Sequence, residues 1–291
     1  MKVFVSGANG QFANSVIRNV LSRGKADSLV VGTRNVDTPF ARELAAAGVD
    51  VRKADFREPA LMLEALRGVD RALFIPTYDV NTVRLQQNLN AIEAARTAGV
   101  GHIIYASFVN VESPLVEHSR MVHFPTEQAI RASGLRYTIL RHALYADTIL
   151  GDLQETLSTG VLRRPGGAAR IAYIAREDLG LSAALVLLSD GLNGKILSET
   201  MDRTYSGSEI AAEMTEVFGR PVRYEAIAVE DWPRYMVDKW GFPAELAQSV
   251  KGTATALAAG EFDIVSPDYR QIPRRPARSL KQFLEEVKQP S

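Results

Sequence analysis

The chain has 291 residues, 46% of them hydrophobic, and its 34 Lys and Arg residues balance 34 Asp and Glu residues. This size suits one large α/β unit with an appended lobe, and the balanced charge excludes the strong field that attracts nucleic acid or an anionic membrane. The absence of cysteine excludes disulfides, thiolate nucleophiles and cysteine-ligated metals, and is consistent with a reducing compartment.

The N-terminal residues do not follow a secretory pattern. Met1 and Lys2 lead directly into an apolar strand that begins at Val3, whereas a signal peptide places a longer apolar run and a cleavage site there. No apolar run approaches the roughly 18 residues of a membrane helix. We therefore expect a cytoplasmic protein with neither a membrane nor a nucleic acid as partner.

Strands and helices alternate regularly over residues 1–150, which predicts βαβ crossovers and hence a Rossmann-type, doubly wound parallel sheet. After the strand at Val3, the predicted strands are Ser28–Thr33, Val49–Ala54, Arg71–Ile75, His102–Ala106 and Tyr137–Leu140. The predicted helices are Gln11–Arg23, Phe40–Ala47, Pro59–Leu66, Asn81–Ala98 and Arg120–Ala132.

Residues 151–291 alternate less regularly and predict a smaller α+β lobe that binds substrate and partly interleaves with the sheet. Asp178–Ser189 is a predicted helix, and Ile171–Ile174 and Lys195–Leu197 are predicted strands. Ser206 and Glu209 form a capping-box pattern before a helix that extends to Phe218.

The segment from Val3 to Ala13 is typical of a phosphate-binding strand, turn and helix. Gly7 permits the tight turn, and Gly10, which has no Cβ, lets a pyrophosphate approach the backbone. The small Ala13 allows the helix to pack on the strand, and the N–H groups of its first turn face the phosphates. The pattern predicts a dinucleotide site.

Arg34 follows the second strand, where a protein that prefers NAD carries an acidic residue for the ribose diol. A guanidinium there matches a 2′-phosphate in charge and in bidentate geometry. The alternative is a solvated arginine at the end of a strand. Together with the glycine turn, Arg34 favours NADPH, and Asp55 and Phe56 are expected to border its adenine.

A typical catalytic Tyr-x-x-x-Lys pair is missing from the expected place after the fifth strand. Tyr235 and Lys239 have the spacing but lie far beyond that strand, so we interpret the match as chance. The expected place contains Ser107, His123, Thr126, Glu127 and Gln128 instead. The histidines and carboxylates do not form a metal-ligand pattern, and no metal is expected.

His142 follows the sixth strand at its carboxyl end, where open α/β sheets bind ligands, and is a candidate substrate contact or a packed residue. Trp232, Tyr235, Trp240 and Phe242 could stack on a flat substrate, or could be the core of the smaller lobe. The sequence leaves both alternatives open.

These segments together resemble the NmrA-like group of atypical short-chain dehydrogenases/reductases, in particular its quinone- and triphenylmethane-dye-reducing members. The resemblance covers nearly the whole chain. It rests on the segments Ser6–Gln11, Thr33–Asn35, Ala54–Phe56, His102–Ser107, His123–Glu127, Tyr137–Tyr145 and Ser206–Glu209.

The resemblance implies that NADPH binds along the strand ends and that substrate binds beside the nicotinamide. The implied cofactor residues are Gly7, Asn9, Gly10, Gln11, Phe12, Arg34, Asp55, Phe56, Pro76, Thr77, Ala106, Ser107, Phe108 and Leu144. The implied substrate contacts are Tyr78, His142, Trp232, Tyr235 and Trp240, and Tyr145 and His123 are candidate proton donors beside water. Ala13 and Gln128 depart from the family pattern, which often has glycine and lysine there.

Two functions follow from the resemblance. The first is an NADPH-dependent reductase that transfers hydride to a quinone or another flat, electron-poor aromatic acceptor, for which orientation matters more than a strong acid. The second is a non-catalytic protein that senses NADP(H) and regulates a protein partner. An isomerase with bound NAD would need the missing Tyr/Lys pair. A homodimer is one oligomeric state that the sequence leaves open.

Overall fold

The computed structural model describes residues 1–77 and 79–289. The chain forms two compact units whose segments alternate along the sequence. The first unit comprises Met1–Phe108, Met121–Arg141 and Arg176–Leu197, and the second comprises Val109–Arg120, His142–Ala175 and the described residues from Ser198 onward. The division of the chain near residue 150 into a cofactor domain and a substrate lobe stays a prediction.

The secondary structure alternates as predicted over the first 142 residues. The strands are β1 (Val3–Ser6), β2 (Leu29–Thr33), β3 (Asp50–Lys53), β4 (Arg71–Phe74), β5 (His102–Phe108), β6 (Arg136–His142), β7 (Leu144–Tyr145), β8 (Val161–Arg164), β9 (Arg170–Ile174), β10 (Lys195–Glu199), β11 (Thr204–Ser206) and β12 (Arg223–Ala226).

The helices include every one predicted from the sequence. They are α1 (Gln11–Leu21), α2 (Pro39–Ala46), α3 (Pro59–Ala65), α4 (Asn81–Ala98), α5 (Glu117–Ala132), α6 (Leu153–Thr159), α7 (Arg176–Leu188), α8 (Gly207–Phe218), α9 (Trp232–Trp240), α10 (Ala244–Ser249), α11 (Lys251–Ala258), α12 (Asp268–Gln271) and α13 (Leu280–Lys288). Short 3₁₀ turns occupy Ala26–Ser28 and Ala146–Asp152.

The main sheet has seven strands in the order β10-β6-β5-β4-β1-β2-β3. β1 pairs in parallel with β2 and β4, β2 with β3, and β4 with β5. The predicted α/β class and Rossmann-type sheet are therefore confirmed. In such a sheet the carboxyl ends of neighbouring parallel strands meet at one edge, where ligands bind.

Close packing on the sheet explains why a glycine stands inside β2. A Cβ on Gly32 would lie 2.4 Å from Cζ of Phe4 and 2.9 Å from Cβ of Ala54. The Phe4 ring lies over this position and packs edge-on against Phe74, which also packs edge-on against Phe56. The absence of a side chain at Gly32 thus leaves room for the aromatic core of the first unit.

The second unit contains a three-stranded sheet of order β11-β9-β7 and a parallel pair, β12 with β8. The predicted capping box at the start of α8 is confirmed, since the Ser206 hydroxyl accepts from the Glu209 N–H and the Glu209 carboxylate accepts from the Ser206 N–H. None of the helices in residues 1–77 and 79–289 has the length and hydropathy that a bilayer-spanning helix needs.

α5 differs from its prediction. It begins at Glu117 rather than near Arg120, and it contains Pro125 in its interior. Proline has no N–H, so it cannot donate the helical hydrogen bond to the carbonyl four residues before it. Next to this proline, the Thr126 hydroxyl donates a side-chain hydrogen bond to the carbonyl of Val122 (2.7 Å), within the same helix.

We predict that Gly180→Ala destabilises the first unit. Gly180 lies inside α7 against α1, and a Cβ there would lie 2.5 Å from Cβ of Ser15 and 3.0 Å from its backbone carbonyl carbon. The overpacking should lower the free energy of unfolding by about 1–3 kcal/mol, although alanine is the better helix former. Urea unfolding measures the change. Ser15→Gly combined with Gly180→Ala is the control, and equal losses in the single and double variants would contradict the packing explanation.

Candidate functional site

The turn between β1 and α1 has the backbone geometry that phosphate binding needs. Gly7 adopts φ +69°, a left-handed conformation that favours glycine. Gly10 is the N-cap of α1 and has no side chain to accept from the first N–H groups of the helix, and a Cβ there would lie 3.3 Å from the carbonyl oxygen of Gly7. The first turn of α1 therefore presents N–H groups to an anion.

Side-chain hydrogen bonds hold this turn against the neighbouring strands. The Asn9 amide donates to Oγ1 of Thr33 (3.0 Å) and accepts from the hydroxyl of Thr38 (3.0 Å). The Ser6 hydroxyl oxygen accepts from the N–H of Ile75 (2.8 Å), at the end of β4. Asn9 and Ser6 thus fix the relative positions of the loops after β1, β2 and β4.

A cavity of about 460 Å³ lies at these strand ends, within the range of small-molecule sites. Most of the predicted cofactor residues line it, namely Gly7, Asn9, Gly10, Arg34, Asp55, Phe56, Pro76 and Thr77. Its lining does not include the predicted residues Gln11, Phe12, Ala106, Ser107, Phe108 and Leu144. Arg57, Asp79 and Gln87 line it too and were missed, because they lie on loops or helices rather than directly after a predicted strand.

Of the charged side chains that line the cavity, Asp55 and Arg57 form an ion pair, and Arg34 does not take part in it. Asp55 accepts three charge-assisted hydrogen bonds from Arg57: Nη2 to Oδ2 at 2.7 Å, and Nε to Oδ1 at 3.1 Å and to Oδ2 at 3.2 Å. These bonds, more than the field of Arg34, hold the pKa of Asp55 below its usual value. Arg34 is exposed and has no ion-pair partner within 4 Å among the described residues. Its positive charge thus lies at the cavity without a carboxylate bound to it.

The loop after β4 is braced by α4. The Arg84 Nε donates to the carbonyl of Thr77 (2.9 Å), and the Thr77 hydroxyl is hydrogen-bonded to Gln87. Gln87 Nε2 also donates to Oδ2 of Asp79 (3.3 Å). Tyr78, a predicted substrate contact, lies outside the described residues.

At the end of β5, the Ser107 hydroxyl donates to Oε1 of Glu127 (2.5 Å). Arg141 binds the same buried carboxylate through Nη2 to Oε2 (2.6 Å) and Nε to Oε1 (3.0 Å). This ion pair is charge-balanced, and it occupies the region where the sequence lacked a Tyr/Lys pair. Sequence reasoning identified Ser107 and Glu127 but missed Arg141, because the three lie on separate elements.

His123 is a buried residue of α5 in the first unit. Its Nδ1 lies 3.0 Å from the Tyr105 hydroxyl, and its ring stacks on Phe108 at 6.5 Å between centroids. Tyr105 in turn contacts Asn88. The candidate proton donor thus belongs to a buried hydrogen-bond network that the sequence did not reveal.

Tyr145, the other candidate proton donor, belongs to the second unit. Its hydroxyl lies 3.3 Å from Nδ1 of His142, whose Nε2 lies 3.4 Å from the buried Glu199 carboxylate. Burial lowers the pKa of His142 to about 3, so this imidazole is neutral at pH 7. His142 is thus buried beside Tyr145, and a direct contact of His142 with substrate stays a prediction.

The aromatic residues of α9 pack on one another in the second unit. Trp232 stacks on Tyr235 (5.6 Å between centroids) and meets Trp240 edge-on (5.1 Å). Trp232 is buried in a core cluster with Met236, whereas Tyr235 and Trp240 are partly buried. Lys239 of the same helix pairs with Glu155 (2.8 Å). Trp232 is therefore part of the core of the second unit. Substrate contacts of Trp232, Tyr235 and Trp240 stay predictions.

Within residues 1–77 and 79–289, no group of three or more His, Asp or Glu side chains is arranged to hold a metal ion. The strand-end cavity is lined by groups that bind anions. Its glycine turn, helix N-terminus and exposed guanidinium suit a ligand with more than one phosphate.

Comparisons with known proteins agree with this geometry. The model of the NmrA-like family matches residues 1–272. Quinone oxidoreductase 2 of Escherichia coli K12 is 31% identical over 259 residues, covering 89% of this chain and 88% of that protein. An Escherichia coli NADPH-dependent quinone oxidoreductase in complex with NADPH has a TM-score of 0.91 and 28% identity, over 99% of this chain and 100% of that one. Triphenylmethane reductase of Citrobacter sp. has a TM-score of 0.90 and 30% identity, over 99% of each chain. The chain belongs to the NmrA-like family.

Proposed function

We propose that this protein is an NADPH-dependent reductase that transfers hydride to a quinone or another flat, electron-poor aromatic acceptor. The observation that carries the proposal is the strand-end cavity, which combines a glycine turn with the exposed Arg34. Quinone oxidoreductase 2 and triphenylmethane reductase, which match most or nearly all of the chain, are named as reductases of a quinone and of dyes, and a quinone oxidoreductase structure is in complex with NADPH.

The residues of the cavity fit the cofactor part by part. Gly7 and Gly10 leave backbone space beside the N–H groups of α1 for the diphosphate. Arg34 offers a bidentate donor to the 2′-phosphate, and Phe56 offers an apolar surface to the adenine. When bound, NADPH supplies the hydride. Pro76 and Thr77, with the β5 end at Ser107, are the proposed neighbours of the nicotinamide.

The pairing of Asp55 with Arg57 supports a preference for NADPH over NADH. A carboxylate near the cofactor ribose would repel a 2′-phosphate if it were unpaired. Arg57 neutralises Asp55 through three hydrogen bonds of its guanidinium, and Arg34 does not pair with that carboxylate.

The chemistry of the acceptor explains how the protein works without a Tyr/Lys pair. Quinones and cationic dyes accept hydride readily, so catalysis depends on holding the hydride donor and the acceptor close together in the correct orientation. The proposed task of the second unit is to hold the acceptor, with Tyr145 as a proton donor. Unactivated ketones, which need a strong acid, are expected to be poor substrates.

We predict that Arg34→Ala weakens the binding of NADPH about 10- to 100-fold and leaves that of NADH unchanged, because only NADPH has a 2′-phosphate. Fluorescence titration of each nucleotide measures the dissociation constants. Arg42→Ala, which removes another exposed arginine from the next helix, is the matched control and should change neither constant. Equal weakening of both nucleotides by Arg34→Ala would contradict the assignment.

Turnover with a panel of acceptors tests the proposed activity. We expect NADPH oxidation with simple quinones and with triphenylmethane or azo dyes, and none with an unactivated ketone such as cyclohexanone. The absorbance of NADPH at steady state measures the rate. Tight NADP binding without turnover of any acceptor would overturn the reductase and favour a non-catalytic NADP(H) sensor.

A further inference from the structure

Arg57 follows β3 and lines the strand-end cavity together with Arg34, Asp55 and Asp79. Among the described residues that line this cavity, these four are the charged ones, so two guanidinium groups balance two carboxylates. The Arg57 side chain is 54% exposed, whereas that of Asp55 is 13% exposed. The ion pair of these two residues therefore has its guanidinium in water and its carboxylate largely buried in the cavity wall.

Backbone hydrogen bonds hold Asp55 in place independently of the Arg57 guanidinium. Oδ1 of Asp55 accepts from the backbone N–H of Arg57 (2.9 Å), and the carbonyl of Asp55 accepts from the N–H of Glu58 (2.9 Å). Nδ2 of Asn90, on α4, donates to the carbonyl of Phe56 (3.0 Å). A variant that lacks only the guanidinium keeps these bonds, and hence keeps the carboxylate at the cavity.

The charge of Arg34 also acts on Asp55. Hydrogen bonds from Arg57 are the main cause that holds the pKa of Asp55 below its usual value, and the positive charge of Arg34 acts in the same direction. A phosphate bound by Arg34 is therefore within the electrostatic reach of the Asp55 carboxylate. At 0.1 M salt the Debye length is about 10 Å, so charges that share one small cavity are not fully screened from each other.

We propose that Arg57 is a specificity-determining residue for the cofactor: its guanidinium cancels the charge of Asp55 at the 2′-phosphate, so that the attraction of Arg34 for this phosphate is not opposed. The inference rests on the proposed NADPH-dependent function. Arg57 is a positioning residue in this role rather than a phosphate ligand, because its guanidinium is bound to Asp55 through three hydrogen bonds.

Loss of the Arg57 guanidinium changes the charge that a 2′-phosphate meets. In Arg57→Ala the carboxylates of Asp55 and Asp79 remain, and Arg34 is the remaining cation among the described residues of the cavity wall. Like charges repel, so the binding of a 2′-phosphate becomes less favourable. NADPH and NADH differ only in this phosphate, so the ratio of their dissociation constants isolates the effect from contacts with the adenine and the diphosphate.

Nucleotide titration of a set of variants tests the proposal. We expect Arg57→Ala to lower the preference for NADPH over NADH about threefold to tenfold. Combining Asp55→Asn with Arg57→Ala removes both charges and should return the preference to within about twofold of the unmodified protein. Asp55→Asn alone should not lower it. Arg57→Lys keeps the positive charge and should also stay within about twofold.

Two controls separate charge cancellation from other effects. Glu58 is an exposed neighbour that is not part of the cavity lining, so Glu58→Gln added to Arg57→Ala should not restore the preference. The loss in Arg57→Ala should also shrink in 1 M salt, where the Debye length is about 3 Å.

A preference that stays low in the double variant of Asp55 and Arg57 would overturn the inference, because Arg57 would then bind the phosphate itself. An unchanged preference in Arg57→Ala would overturn it too. Both results assume that NADPH binds, and they leave the proposed function standing. An unmodified protein that binds neither nucleotide would overturn the proposed function and this inference together.

Discussion

Parallel pairing of β1 with β2 and β4 is the constraint on which the candidate site depends. It brings the ends of three strands, separated by tens of residues in the chain, to one edge of the sheet. The Ala8 N–H donates to the carbonyl of Gly32 (3.0 Å), and Ser6 binds the backbone of Ile75. These bonds connect the loops that line the cavity, so the loops are positioned by the sheet rather than by a ligand.

The charged residues near this edge of the sheet differ in their partners. Asp55 is bound by Arg57, Glu127 is bound by Arg141, and Arg34 remains exposed beside the cavity. A buried ion pair adds little net stability but costs several kcal/mol when one partner is lost, roughly 3–5 kcal/mol in known cases. Because Arg57 and Arg141 bind these two carboxylates, the Arg34 guanidinium is left for a phosphate.

Much of the fold could be predicted from the sequence because its signals are local. Alternating apolar and amphipathic segments indicated the strands and helices, and the glycine turn and capping box were recognised from neighbouring residues. The hydrogen-bond partners of Ser107 and His123 could not be predicted, because Arg141, Tyr105 and Asn88 reach them only through tertiary packing. Asn9 shows the same limit: the sequence predicted a cofactor contact, and the structure adds that its amide ties the turn to Thr33 and Thr38.

A crystal structure with NADP⁺ bound tests the central claim most directly. The account predicts the diphosphate over Gly7 and Gly10 at the start of α1, and the 2′-phosphate within hydrogen-bond distance of the Arg34 guanidinium. Nucleotide density away from this strand edge, or a 2′-phosphate held by other residues while Arg34 stays in solvent, would contradict it.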